Sequence, residues 1–369
     1  MFSLLERLVR IDSGSYHKPG IDEMGEVLAA ELRSLGFETT VLAEPERGNH
    51  LVARRRAAER PRAFISCHLD TVTRPEHFPA GPFVIRDRRA HGPGVADMKG
   101  GIAQMVMALR VLRDLGHKPL PDLTIFGAGD EELGSVRARP HIEREGRPCR
   151  FVLVVEPARP DGGYVLLRWA LAAFYLDIGG KPAHLGDPGQ HGINANVEMA
   201  HKIVALDALN DPEAGRIVAA NIARGGIARQ TVSPHATLHV DVRARTTSEI
   251  EELARRVEGI LHAPHLPGIE LSVRGGITRP ALEPSPESER LFQIAADAAA
   301  KIGFTAMRTE TRGGGDGAFL STLGLPTLDG MGPVGRNNCT PEEYIEIDSM
   351  VPRTAVLALT LARLAEERA

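Results

Sequence analysis

Apolar and polar positions along this chain follow two rhythms that trade places several times. Apolar residues recurring every three or four positions predict amphipathic helices over 2–11 and 20–35, the second closed by Gly36. Short strands follow at "FETTVLA" and "NHLVARR", then a stronger apolar run, "RAFISCHLD", that ends in charged residues. A helical pattern covers "DMKGGIAQMVMALRVLRDLG" and closes at Gly116. A strand "DLTIFGAGD", a helix near 136–145 and a strand "FVLVVEP" come next. Strands alternating with helices predict an α/β sheet with short buried strands.

The middle of the chain changes rhythm. "VLLRWALAAFYLDIGG" reads as strand, 192–209 as helix, 216–224 and 235–245 as strands, 247–262 as helix and "IELSVRG" as strand. That order predicts a small open-faced α+β sheet, ferredoxin-like, with two helices on one side. Alternation returns after about residue 277, with helices over 286–302 and near 348–367. The predicted arrangement is an α/β domain built from both ends of the chain, 1–167 and 277–369, with 168–276 inserted as a second domain. No internal repeat, low-complexity tract or linker interrupts it.

Composition narrows the setting. With 43% hydrophobic and 25% charged residues the chain reads as an ordinary globular protein. Its net charge of −4, with both signs scattered, leaves no footprint for nucleic acid or an anionic membrane. Cys67, Cys149 and Cys339 form no spaced framework and leave an odd thiol, which favours a reducing compartment. The opening stretch "MFSLLERLVRIDSGS" carries Glu6, Arg7 and Arg10 and lacks the apolar core of a signal peptide. No apolar run approaches the ~20 residues of a membrane span. The expectation is a cytoplasmic protein.

Candidate chemistry gathers where the first-half strands end. "CHLD" supplies His68 and Asp70, "GVADMKGG" supplies Asp97, "GDEELGS" supplies Glu131 and Glu132, and "VVEP" supplies Glu156. In open α/β sheets the carboxyl edge of the strands is where ligands bind. Taken singly, each has an ordinary reading: a polar strand end, a helix N-cap, a solvated acidic pair. Together, acidic groups crowded at successive strand ends repel, and a divalent cation relieves that repulsion. His68, Asp97, Glu132 and Glu156 form a mixed imidazole–carboxylate set suited to zinc or a similar ion.

The motifs "SCHLDTV", "GPGVADMKGG", "GDEELGS" and "VVEPA", in this order, resemble those of the M20 metallopeptidases. "GGKPAHLG" and "GGGDGAFLSTLGLPTLDGMGP" extend the resemblance over almost the whole chain. The late stretch leans toward the glutamate carboxypeptidases. The resemblance implies a zinc-exopeptidase-like α/β catalytic domain with an inserted lid and dimerisation domain, working as a homodimer. It implies two divalent ions, zinc with cobalt or manganese as alternatives, bridged by Asp97. His68 and Glu156 would complete one ion's ligands, and Glu132 and a C-terminal residue the other's. Asp70 would orient His68, Glu131 would be the general base, and His184 would donate to the oxyanion across the dimer. Leu185 beside it departs mildly from the family's alanine. Arg243 and Arg279 would clamp a substrate carboxylate, and Gly314 and Gly315 would line the pocket. That glycine loop has no following Gly-Lys-Ser/Thr, so it is no phosphate loop.

The stretch "GRNNCTPEEY" departs from the pattern. Where the family has a histidine ligand this chain has Cys339, and its last histidine is His265. Thr340, Pro341 and Glu343 have the spacing of an N-cap, N1 and N3, so Cys339 is expected beside a helix N-terminus that would favour its thiolate. Zinc accepts thiolate readily. The resulting expectation is a metal-dependent hydrolase of a small peptide or N-acyl amino acid with a free carboxylate. Two alternatives stand beside it. One is an N-deacylase of acetylornithine or succinyl-diaminopimelate type. The other is a catalytically impaired metal- or ligand-binding homologue.

Overall fold

The apolar run Arg62–His68 forms an inner strand of a six-stranded sheet. Strands parallel to it flank it on both sides, Asp122–Ala128 on one and Phe151–Val154 on the other. The computed structural model describes residues 1–56, 62–78, 81–116 and 122–367. Asp122–Ala128 and Phe151–Val154 are buried along their whole length, as strands covered on both faces must be. Glu38–Leu42 and His50–Arg55 extend one edge antiparallel, and the short Thr327–Leu328, which no sequence pattern marked, pairs parallel at the other.

Alternation along these strands feeds two cores. Ile65 joins Leu5, Met24, Ile102, Leu291 and Leu357 beneath the helices Phe2–Val9, Lys18–Ser34, Gly101–Asp114, Pro286–Lys301 and Ile347–Leu364. Phe64 points the other way, into a cluster with Phe126, Ile142 and Phe319. Burying side chains of this size stabilises by about 1.5–3 kcal/mol each.

The chain divides into two compact units. One comprises Met1–Leu167, Leu282–Glu310 and Gly315–Ala369, the other Arg168–Ala281 with Thr311–Gly314. The second holds a four-stranded antiparallel sheet in the order Arg216–Gly225, His235–Ala244, Ala170–Gly179, Glu270–Arg279. Ala170, Ala172, Phe174, Leu176 and Ile178 all face its core, with Leu206 from the helix Ala195–Asp207 and Leu253 and Val257 from the helix Thr247–His262. This is the ferredoxin-like order expected from the sequence. The last strand pairs on through a bulge between Ile277 and Arg279, so the chain leaves this unit after Ala281, not at residue 277. Thr311–Gly314 join it because the Thr311 carbonyl accepts from the Trp169 N–H (3.0 Å) and the Gly314 carbonyl from Arg168 (2.7 Å).

One expected element is absent. No helix starts at Thr340–Glu343; the last long helix begins at Ile347. Residues 337–343 form the turn between Gly335–Arg336 and Tyr344–Glu346, strands of a small sheet completed by Val84–Arg86 and Arg89–His91. The physical reason lies in Glu343. Its carboxylate accepts three N–H groups from residues 94–97 and so cannot close a capping box.

Candidate metal centre

His68 ends its strand opposite Ala128, and its ring is almost fully buried. Its Nε2 lies 3.0 Å from Asp97 Oδ1 and 3.6 Å from Glu156 Oε1. Its Nδ1 lies 2.9 Å from the Asp70 carbonyl oxygen and 3.5 Å from Asp70 Oδ1, so Asp70 holds the ring with its main chain as well as its carboxylate. Glu156 stands two residues beyond the strand Phe151–Val154.

Asp97 does not open a regular helix. It sits in the wide turn Val95–Gly100, where the Asp97–Met98 peptide bond is cis, and the helix starts at Gly101. Glu131 and Glu132 stand side by side in the short 3-10 turn Glu131–Leu133, past the end of the strand Asp122–Ala128. Asp70 ties this turn to the His68 strand. Its Oδ1 accepts the Glu131 N–H (3.0 Å), and its Oδ2 accepts the Glu132 N–H (3.2 Å) and the Ser15 hydroxyl (2.9 Å).

The ligand-type atoms of His68, Asp97 and Glu132 lie within 4.8 Å of one another. Cys339, in left-handed backbone at φ 62°, brings its Sγ to 3.6 Å from Asp97 Oδ2 and 3.8 Å from Glu132 Oε1. His68, Asp70, Asp97, Glu131, Glu132, Glu156 and Cys339 therefore gather within the first unit, to whose residues Gly315 also belongs. His184, Arg243, Arg279 and Gly314 belong to the second. There His184 is exposed and its Nδ1 accepts the Gly186 N–H (3.1 Å). Arg243 pairs with Asp241 (2.7 Å) and donates to the Arg312 carbonyl (2.9 Å). Arg279 is buried, and a side chain on Gly314 would meet Leu171 Cδ1 at 2.7 Å and Arg279 Cγ at 3.0 Å.

The charges test whether a cation suits this donor set. Burial and then the charge of Asp97 push the Glu132 carboxyl well above the usual range. Burial alone would lower His68, but hydrogen bonds with Asp70 and Asp97 and the charge of Glu156 carry it well up. Burial, then Asp97 and Glu132, raise the Cys339 thiol. The helix N-terminus expected to favour thiolate does not exist. Each shift has the sense of a site short of positive charge that takes up protons in its place. A divalent ion would supply that charge, so the residues present fit one.

Three residues that sequence reasoning left out of the site support it, Glu343 being expected there only as part of a helix cap. Glu343 grips the Asp97 turn, and burial with the nearby Asp97 charge lifts its carboxyl to about 8. Lys99, fully buried, donates from Nζ to the Ile11 carbonyl (2.9 Å), and burial lowers it to about 7. His50 accepts the Gly129 N–H on Nδ1 (3.0 Å), just ahead of the Glu131–Glu132 turn. No spacing signal separates such groups from ordinary charged or polar residues.

Fold and site together define a two-unit α/β hydrolase that depends on metal. The model of peptidase family M20/M25/M40 matches residues 64–363, and the chain belongs to that family. It is 29% identical to carboxypeptidase G2 of Pseudomonas sp. (strain RS-16) over 362 residues, covering 97% of this chain and 87% of that protein. It is also 29% identical to succinyl-diaminopimelate desuccinylase of Gluconacetobacter diazotrophicus over 363 residues, covering 92% and 91%. Among solved structures, aminopeptidase PepT from Bacillus cereus superposes with a TM-score of 0.79 at 20% identity over 99% of this chain and 98% of that one. Bacillus subtilis YXEP, described as a dinuclear metal-binding peptidase, superposes at 0.67 with 15% identity and covers 99% of both. No helix among the described residues is long and apolar enough to cross a membrane.

Proposed function

We propose that this protein hydrolyses the amide bond of an N-acyl amino acid or small peptide that carries a free carboxylate. The observation that carries the reading is the convergence of His68, Asp97, Glu132 and Cys339, with Glu131 beside Glu132 in one turn. His68, Asp97 and Glu156 would hold one divalent ion and Asp97, Glu132 and Cys339 the other, zinc being the ion that this imidazole, carboxylate and thiolate set suits best. When bound, the ions polarise the amide carbonyl and acidify water. Glu131 takes the proton from the attacking water on its carboxylate and returns it to the leaving nitrogen. Asp70 keeps the His68 ring and the Glu131–Glu132 turn in fixed register through the hydrogen bonds described above. His184 donates to the developing oxyanion, and Arg279 and Arg243 bind the free carboxylate, with Gly314 and Gly315 leaving room for it.

A second reading, N-deacylation of a biosynthetic intermediate, is supported by the equal identity to the desuccinylase. We place the protein in a cytoplasm as a homodimer paired through its second unit; its three free thiols accord with a reducing compartment. Glu131→Gln tests the chemistry. It is expected to bind metal as the wild type does and to lose activity by about 100- to 10,000-fold on N-acyl amino acids and dipeptides. Undiminished turnover would remove Glu131 from the role of base, and a wild type inert on the whole panel would favour the catalytically impaired homologue.

A further inference from the structure

The hairpin turn that presents Cys339 sends a second side chain into the same place. Glu343, 1% exposed, accepts hydrogen bonds from the N–H groups of Gly94 (3.2 Å), Ala96 (2.8 Å) and Asp97 (2.9 Å). Four residues earlier, Cys339 Sγ faces Asp97 Oδ2 at 3.6 Å. Asp97 is therefore held by its main chain and met at its carboxylate from one short loop.

That loop is closed on itself. The Thr340 hydroxyl donates to the Asn337 carbonyl (2.8 Å), Asn337 Nδ2 to the Glu342 carbonyl (3.3 Å), and the Glu343 N–H to the Thr340 carbonyl (3.1 Å). On the far side of the Asp97 turn, Lys99 anchors the chain to the Ile11 carbonyl. Three N–H groups donating to one buried carboxyl group hold a turn as a unit, because several main-chain donors depend on that single acceptor group.

We propose that Glu343 is a positioning residue for the metal centre. It fixes the Asp97 turn and the Cys339 loop at one spacing, and so sets the affinity of the ion those two residues share. The inference rests on the two-ion reading above and adds a residue that reading does not contain. The other ion shares Asp97, but its two remaining ligands, His68 and Glu156, come from other strand ends that Glu343 does not touch. The second ion takes both Asp97 and Cys339 from the segments Glu343 ties together, so the first depends on Glu343 less. Glutamine has the same size, but its NH2 must face N–H donors where a carboxylate oxygen accepted them.

The test uses the full-length chain stripped of metal and titrated with cobalt(II) without air. Ions bound are counted, and the near-ultraviolet thiolate-to-cobalt charge-transfer band is followed, with Cys339→Ser as its blank. The wild type is expected to take two ions, one of them raising the band. Glu343→Gln is expected to keep the first ion near wild-type affinity and weaken the band-forming ion about 10- to 100-fold. If Glu343→Gln does not fold, Glu343→Asp, which keeps both acceptor oxygens on a shorter stem, carries the same comparison. A variant that binds both ions as the wild type does overturns the inference, and so does one that weakens both equally. A wild type that takes no second ion overturns the two-ion reading, and the inference with it.

Discussion

At the scale of single residues, supporting groups matter here as much as ligands do. His50 accepts the Gly129 N–H on Nδ1, so its proton sits on Nε2 and the ring is neutral in the folded state. Burial lowers its pKa from 6.5 to about 4. Folding therefore favours the neutral ring. The stability His50 contributes is present above pH 6.5 and is lost as the pH falls toward about 4. The depression amounts to about 3 kcal/mol at ~1.4 kcal/mol per pH unit. His50→Gln keeps an acceptor for Gly129 but does not titrate. Urea unfolding across this window is expected to show a shallower acid loss in the variant, and an unchanged slope would assign the loss elsewhere. Cys339 teaches a related lesson. Its identity and ordinal place near the C-terminus were legible in the sequence, but its environment was not. Thr340, Pro341 and Glu343 matched a capping pattern that Glu343 does not honour, because the Asp97 turn competes for its carboxylate.

At the scale of elements, the site depends on how closely the helix Gly101–Asp114 approaches the strand end that carries Glu156. A Cβ at Gly101 would fall 1.8 Å from the Val155 carbonyl oxygen and 3.2 Å from Val155 Cβ. Only glycine admits this contact between helix start and strand end. Gly101→Ala is expected to destabilise the protein by about 3 kcal/mol or more, since main chain must move to admit the methyl group. Urea denaturation monitored by circular dichroism checks this, and a midpoint equal to that of the wild type would show that the contact relaxes freely. Long periodic helices and alternating strands were legible beforehand: Thr247–His262 matches its predicted span residue for residue. The two-residue strands Thr327–Leu328 and Gly335–Arg336 were not, because pairing partners far away in sequence define them and no local period does.

At the scale of the whole molecule, each unit carries its own apolar core. The second unit takes nearly all its residues from one continuous span, so an excised Arg168–Ala281 fragment is expected to unfold cooperatively by itself. A broad, non-cooperative melt would show instead that Thr311–Gly314 or the first unit is required. The amino-acid sequence by itself determined the alternation of elements, the inserted sheet and the residue types at the strand ends, because these follow from periodicity and local chemistry. Tertiary structure alone decided that Glu343 and Lys99 clamp the Asp97 turn, that Asp70 joins two strand ends, and where the Cys339 thiol points. Those are contacts between segments up to about 250 residues apart, made by burial and hydrogen bonding across the fold. No local pattern encodes which distant groups will meet.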